Sequence, residues 1–481
     1  MGRKPRISAP LGIVLDPAST EPLHHQIGAQ LRAAILERRL RPGTPLPSSR
    51  LMAAELDCAR GTVAAAIDQL VAEGYVTSRA ASGTAVAPNL PDDLLFPPTQ
   101  PHPPPRPTPT PTAAPLLAFP LGQPDRTAFP FPLWAKLLER EWRRPAWHIA
   151  GTPHPFGHPD LQRAIASYLG AARGFACDPA AIVITSGIRQ SVALFARIVL
   201  RPGDTAFIED PGYPGIAEGL EAAAIRPLPI PIDASGFDID TAAARSPATK
   251  LAIVAPSHQF PLGAVLTLQR RLELLNWAER SSAWIAEDDF DGEYRYAGRP
   301  LAPLRALDRN DRVAYLGSFS KILFPALRLS YLVLPETLVD DANRLMTTSG
   351  TSASLLGQGA LARFIADGHL AIHLRRTRLL YAARQQALLH AAKTHLAGLL
   401  HLTPDAGGMQ LIATPETAFD DLAAAAAARA HDVSVAPLST YFRAAPPTQG
   451  LILGYAATPE PDIDPAVRRL QAALSNSNLR P

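Results

Sequence analysis

Two cysteines in 481 residues, Cys58 and Cys177, are too few for a disulfide framework or a cysteine-held metal site. No apolar run is long enough to span a bilayer. The N-terminal MGRKPRISAP is basic, but no apolar core follows it, so a secretory signal is not expected. Excess charge is scarce too: the formal net charge is +3. Residues 1–88 hold ten Lys/Arg and seven Asp/Glu, so the whole excess lies there and the remainder is neutral. These absences exclude a disulfide-stapled scaffold and a bundle of membrane helices. What is left, at 47% hydrophobic and 19% charged residues, is a soluble cytoplasmic protein with room for about three domains. Its basic N-terminal part suits a polyanionic partner.

Leu23, Ile27, Leu31 and Ile35 recur every four residues and predict an amphipathic helix over residues 22–38. Arg41-Pro-Gly-Thr-Pro-Leu-Pro47 stops it. Ser48 or Ser49 can cap a second helix with Leu51 and Leu56 inward. A third runs from Arg60 to Glu73 with Val63, Ile67, Leu70 and Val71 inward, and Gly74 closes it. Tyr75–Arg79 and Thr84–Ala87 flank Ala80-Ala-Ser-Gly83 as a hairpin wing. Two helices joined by a tight break, followed by a wing, make a winged helix-turn-helix. The third helix then enters a DNA major groove N-terminus first. Arg60 is placed for a guanine edge, with Gly61 beside it, and Thr62 for a phosphate or a thymine methyl. Arg50 is placed for a phosphate.

The string LPSSRLMAAELDCARGTVAAAIDQLVAEGYVTSRAASGTAV, Leu46 to Val86, resembles the GntR family of bacterial regulators through its P-S-S-R, R-x-T-V and A-E-G-Y…S-G-T elements. The resemblance implies DNA contacts at Arg50, Arg60, Thr62 and the wing around Gly83. Cys58-Ala59 departs from the Val-Ser more usual in the turn, a change that touches a helix cap.

Residues 1–87 are thus read as the DNA-binding domain and 88–115 as a linker. Phe96 to Pro115, FPPTQPHPPPRPTPTPTAAP, is too rich in proline for helix or sheet and favours extended polyproline II. At about 3.1 Å per residue it spans up to roughly 60 Å. From residue 116 to 481, apolar runs alternate with helical stretches. The runs are Ile182–Thr185, Ala206–Glu209, Leu251–Ala255, Trp284–Glu287, Val313–Ser318 and Ser330–Leu334. Arg189–Leu200 and Leu268–Arg280 are two of the helices. The alternation predicts an α/β body, a mostly parallel sheet with helices on both faces, and a ligand beyond the strands' carboxyl ends.

Chemistry-bearing residues fall at those ends. Ser318-Phe-Ser320-Lys321 follows one strand and Arg328 comes soon after. A lysine just past a buried strand is partly desolvated, which favours the neutral amine needed for a Schiff base. Ser318, Ser320 and Arg328 suit a phosphate. Phosphate plus such a lysine is what pyridoxal 5′-phosphate (PLP) requires. Ser186, Gly187 and Ile188 open a helix after another strand and offer backbone N–H groups to the phosphate. Tyr213 can stack on the pyridine ring. His258 or Gln259 can bond the ring hydroxyl. The acidic string Glu287-Asp288-Asp289-Phe290-Asp291 offers a carboxylate to the ring nitrogen.

Order and spacing over residues 116–475 resemble fold-type I aminotransferases. By that resemblance Lys321 binds PLP and Asp288, with Asp289 as its rival, pairs with the pyridinium. Tyr213 stacks, and Ser186, Gly187, Ser318 and Arg328 hold phosphate. A GntR-type winged helix, a long linker and such a body together resemble the MocR/GabR group of transcription factors, as do the strings PSHQFPLG, EDPGYPG, EDDFDGEYRY and SFSKILFPALRL. This implies a homodimer on double-stranded operator DNA, with a smaller C-terminal α+β part and no metal. The body senses PLP or a PLP-reactive small amine or amino acid. Two departures stand out. Phe290 replaces the group's usual tyrosine. The C-terminal strand Leu451–Tyr455 lacks the arginine with which aminotransferases hold a substrate carboxylate. Arg443 is the nearest substitute. Both weigh against the alternative, an active aminotransferase with an appended DNA-binding domain, and the missing arginine also against an α-amino acid as effector.

Overall fold

The computed structural model describes residues 12–16, 19–79, 83–88, 117–143, 151, 154–296, 302–417 and 420–475. The chain forms two compact units, dividing at Ala114 and Pro115. The proline-rich stretch lies outside the described residues, as does the wing tip at 80–82.

In the first unit α1 spans Leu23–Leu36, α2 Ser49–Glu55 and α3 Arg60–Ala72, and the wing pairs β1 (Val76–Arg79) with β2 (Gly83–Val86) antiparallel. Ile27, Leu31, Ile35, Val63, Ile67 and Leu70 form its core with Met52, Val76 and Val86. Ser48, rather than Ser49, caps α2 by accepting the Leu51 N–H. Two inward assignments fail. Leu51 is 48% exposed and Val71 37%, because Met52 and Leu70, one residue away on their helices, take the core positions. Leu56 is half-buried. Gly74 follows α3 with φ 81°, and the Tyr75 N–H returns to the Leu70 carbonyl as a glycine cap requires. Gly43–Leu46 does more than stop α1. Its backbone bonds Thr84 and Val86, adding a third, short strand to the wing. Ala59 stands at the N-cap of α3 with no side-chain bond.

The second unit is built on an eight-stranded sheet. In chain order its strands are β3 (Ile182–Thr185), β4 (Thr205–Asp210), β5 (Arg226–Asp233), β6 (Gly236–Phe237), β7 (Leu251–Val254), β8 (Trp284–Asp288), β9 (Val313–Ser318) and β10 (Ser330–Val333). In space the order is β3-β10-β9-β8-β7-β4-β5-β6. β4, β5, β7, β8 and β9 run parallel, while β10 is antiparallel to both β9 and β3. Both faces are buried: Ile182 and Ile184 pack into one core and Val183 into another. Each such side chain contributes about 1.5–3 kcal/mol, which is why these runs read as continuous apolar stretches.

β5 carries Pro227, Pro229 and Pro231 and escapes sequence detection for that reason. Proline has no N–H, so the donors to β4 must be the alternate residues Leu228, Ile230 and Ile232. All three prolines then face the sheet's outer margin. A smaller antiparallel sheet, β11 (Leu400–Leu402), β12 (Gln410–Pro415), β13 (Ala436–Pro437) and β14 (Leu451–Gly454), has the order β11-β12-β14-β13. The long helix α4 (His369–His395) packs on the C-terminal helix α5 (Glu460–Ser475) beside it. No helix among the described residues is long and apolar enough to cross a membrane.

Candidate functional site

The carboxyl ends of β3, β4, β8 and β9 open on a cavity of about 380 Å³. Lys321, Ser318, Asp288, Tyr213 and Ile188 line it, with Phe290 and, from the smaller sheet, Gln410. The sheet order explains the gathering, since β9 and β8 are neighbours and deliver Ser318-Lys321 and Asp288 side by side.

Lys321 is half-buried, and its desolvation lowers its pKa against the opposing pull of Asp291 and Asp288. Its Nζ donates to the Gly122 carbonyl at 3.1 Å. Gly122 has φ 66°, and a Cβ there would collide with Nζ. A bare backbone is therefore needed beside the amine.

The acidic string divides its work. Glu287 points away and accepts the N–H groups of Leu304 and Arg305. Asp288 faces the cavity, and its Oδ1 is buried with no bonding partner. Burial, with Asp289 and Asp291 nearby, pushes its pKa up to about 7 despite Lys321. Asp289 faces the far side, ion-paired with buried Arg173 and accepting the Tyr315 hydroxyl at 2.5 Å. Asp291 bonds His258. Alternation along an extended backbone separates Asp288 from Asp289.

His258 and Gln259 do not meet the expectation for a ring-hydroxyl contact. His258 Nδ1 bonds Asp291 at 2.8 Å and Nε2 bonds Asp405 at 3.0 Å, so both nitrogens are engaged. Burial opposes its charge, but the two carboxylates outweigh it and hold its pKa at about 10. Gln259 is buried, with Nε2 on the carbonyls of Pro211 and Phe260 and Oε1 on the Leu262 N–H. It braces two loops, and Phe260 lines the cavity in its place.

At the phosphate end Gly187 has φ 134° and caps the helix Ile188–Val199, leaving first-turn N–H groups without intrahelical acceptors. The Ser186 N–H is taken by Gln190 Oε1 at 2.5 Å. Ser318 Oγ accepts from the Ser320 N–H and the Ser330 hydroxyl. Ser320 does not line the cavity, and its bond to Ser318 is made by its backbone N–H. Arg328, left-handed at φ 47° after a short 3-10 turn, lies at the same hairpin end with its side chain exposed, outside the cavity wall.

These residues fit PLP. An unbonded buried carboxylate faces a depressed-pKa lysine across a cavity walled by Tyr213 and Phe290, and a helix start stands nearby. Arg443 does not line this cavity but an adjoining pocket that shares Tyr213, Phe260, Asp288 and Phe290 with it. Its backbone N–H bonds Asp210 and its guanidinium bonds Glu221 at 3.2 Å. β14 is wholly buried, Leu451-Ile-Leu-Gly454. Sequence reasoning missed Gly122, Asp405, Arg173 and Gln410. Only Gly122, set between Pro120 and Pro124, carries a local turn signal.

In the first unit Arg50, Arg60 and Gly61 are exposed and Thr62 is half-buried at the start of α3. Arg60 Nε lies 3.4 Å from Ser49 Oγ. Gly83 is exposed at the start of β2 with φ 81°.

Residues 23–86 match the bacterial regulatory proteins of the gntR family, and residues 123–470 match aminotransferase class I and II. The chain is 39% identical to the "Probable rhizopine catabolism regulatory protein MocR" of Rhizobium meliloti, over 95% of this chain and 94% of that one. It is 31% identical to the HTH-type pyridoxine biosynthesis transcriptional regulator PdxR of Corynebacterium glutamicum, covering 97% and 99%. Among solved structures, a kynurenine aminotransferase from Pyrococcus horikoshii in complex with PMP is 25% identical, with a TM-score of 0.67, covering 75% of this chain and 91% of that one. A winged helix-turn-helix joined to an aminotransferase-like body, matched over nearly the whole length of such relatives, places the chain in the MocR-type family of GntR transcriptional regulators.

Proposed function

We propose that this regulator binds PLP in the cavity around Lys321 and that PLP, alone or with a small amine, changes its grip on operator DNA. The observation that carries this reading is Asp288, whose buried Oδ1 has no partner while it faces the cavity that Lys321 shares. A buried polar atom without a bond is costly, and it is retained where a ligand satisfies it. PLP supplies an aldehyde that takes up amines and a ring that withdraws electrons. Lys321 presents the amine, Asp288 holds the ring-nitrogen proton, and Tyr213 and Phe290 face the ring. The helix start at Gly187-Ile188, with Ser318, meets the phosphate, and Arg328, exposed outside the wall, joins them only by turning its side chain inward. A relative's name links it to pyridoxine biosynthesis, which is chemically close to this cofactor.

Residues 88–115, read from the sequence as a linker, join the winged helix to the body. Dimerisation through the body then sets the spacing of two recognition helices on a two-fold operator in the cytoplasm. Arg60→Ala is expected to weaken operator binding by about 1–3 kcal/mol and to relax specificity at one base position. Arg50→Ala should weaken all sequences alike and lower the salt slope by about one. Anisotropy titrations on the native operator and on single-base variants check both. Normal operator binding by Arg60→Ala would reject the placement of α3.

The coupling itself is tested with apo and PLP-loaded protein on the same operator fragment. A ligand shifts affinity only by the difference in its own affinity for the two states. The expected coupling is about 1–3 kcal/mol, roughly 5- to 150-fold. Keto-acid production is followed alongside. Equal operator affinity in both forms, together with brisk multiple turnover, would favour the aminotransferase reading instead. Phe290 and the arginine-free β14 lead us to expect little or none.

A further inference from the structure

The cavity wall opposite the sheet contains a second buried polar group without a partner. Gln410 opens β12, paired in register with Gly454, and is 5% exposed. Its Nε2 is buried and bonds nothing among the described residues. Neither Lys321 nor Asp288 reaches it by any hydrogen bond among the described residues. Met409 and Leu121 stand beside it as apolar wall.

The cations around the cavity are committed elsewhere. Arg189, at the cavity edge, is ion-paired with Glu218, which lines the same edge. Arg443 lines the adjoining pocket with Asp288 and Phe290, and is paired with Glu221. The buried strand next to Gln410, Leu451-Ile-Leu-Gly454, offers no charge at all. Lys321 is the amine that PLP uses. A carboxylate brought into this space would lose its water and, among the described residues, meet only guanidiniums already paired with Glu218 and Glu221. A neutral group that both donates and accepts would find the amide of Gln410, which also does both.

We propose that the small molecule recognised here is an amine without a carboxylate, bearing a hydroxyl or carbonyl group that Gln410 reads. The inference deepens the PLP reading above and rests on it. Gln410 is a specificity residue on this view: it discriminates among amines and leaves the cofactor's own affinity unchanged.

The test uses the PLP-loaded full chain and three probes of one length, 4-aminobutan-1-ol, n-butylamine and 4-aminobutanoate. Binding is read twice, by the shift of the cofactor's visible band and by the change in operator affinity. The alcohol should bind about tenfold more tightly than butylamine, the worth of one hydrogen bond, and aminobutanoate should bind most weakly. Gln410→Leu should erase the difference between alcohol and alkylamine while the PLP dissociation constant stays put. Gln410→Arg, with a cation supplied, should move the preference toward aminobutanoate. Tighter binding of aminobutanoate by the unaltered protein would overturn the proposal. So would an alcohol preference that survives Gln410→Leu, or a PLP affinity that falls in that variant as far as the amine's does. A protein that takes up no PLP would instead remove the reading beneath the proposal, an outcome told apart by the missing band.

Discussion

Lys321→Ala abolishes the visible band of the PLP-loaded protein; this is the largest effect expected of any single substitution. The chain has five lysines. Lys136, Lys250 and Lys393 are exposed and none lines the cavity. Lys321 alone among the described lysines is not exposed, and desolvation lowers its pKa. A larger fraction of it is therefore the neutral, nucleophilic amine. Its partner, the Gly122 carbonyl at 3.1 Å, aims the amine at the cavity without sharing a charge with it. The variant should fold, because removing one half-buried ammonium leaves no partner charge stranded in a pair. Circular dichroism checks the fold, and absorbance after incubation with PLP and removal of the free cofactor checks attachment. An undiminished band in Lys321→Ala would move the attachment to another amine.

The second large effect separates two adjacent carboxylates. Asp289 is ion-paired with Arg173 at 1% and 5% side-chain exposure and also accepts from Tyr315. Asp289→Ala leaves the Arg173 charge buried and unpaired, which costs about 3–5 kcal/mol. The midpoint of urea unfolding should fall accordingly, with or without PLP. Asp288 has the opposite character. Burial, Asp289 and Asp291 push its pKa up to about 7, so its surroundings disfavour its charge. Asp288→Asn should leave apo stability unchanged or raise it. PLP affinity should fall, because a charge-assisted bond worth about 1.5–3 kcal/mol is lost, roughly 10- to 150-fold in dissociation constant. A stable Asp289→Ala protein that cannot hold PLP would reverse the two assignments.

What the sequence revealed follows from how local each signal is. The strands β3, β4, β7, β8, β9 and β10 were legible because both faces are buried, so each is a continuous apolar run. Their carboxyl ends marked Lys321, Asp288, Tyr213 and Ile188 as a set, and the sheet order brings these four to one cavity. β5 was not legible, because three prolines argue against a strand until its place beside the margin is known. His258 was misread because its environment comes from far along the chain. Asp291 is 33 residues away and Asp405 147, and no local pattern announces either. Gln410 was missed for the same reason: a lone glutamine between Met409 and Leu411 signals nothing until β14 is known to be neutral and buried. In the winged helix, Leu51 and Val71 were turned inward by a periodicity that Met52 and Leu70 satisfy one residue away.

The prolines of β5 decide how copies of this protein can meet. A sheet margin ordinarily presents alternating donors and acceptors, and a strand from a second molecule can continue the ladder. Along β5 the outward positions are Pro227, Pro229 and Pro231, and where they end β6 covers Ile232 and Asp233. The margin thus shows carbonyls without amides. An approaching strand finds acceptors but no reciprocal donors, and growth by edge-to-edge stacking ends there. Self-association on this side is left to side-chain surfaces, which fit only a complementary shape, and crowded, partly assembled molecules are spared runaway fibre growth along that edge.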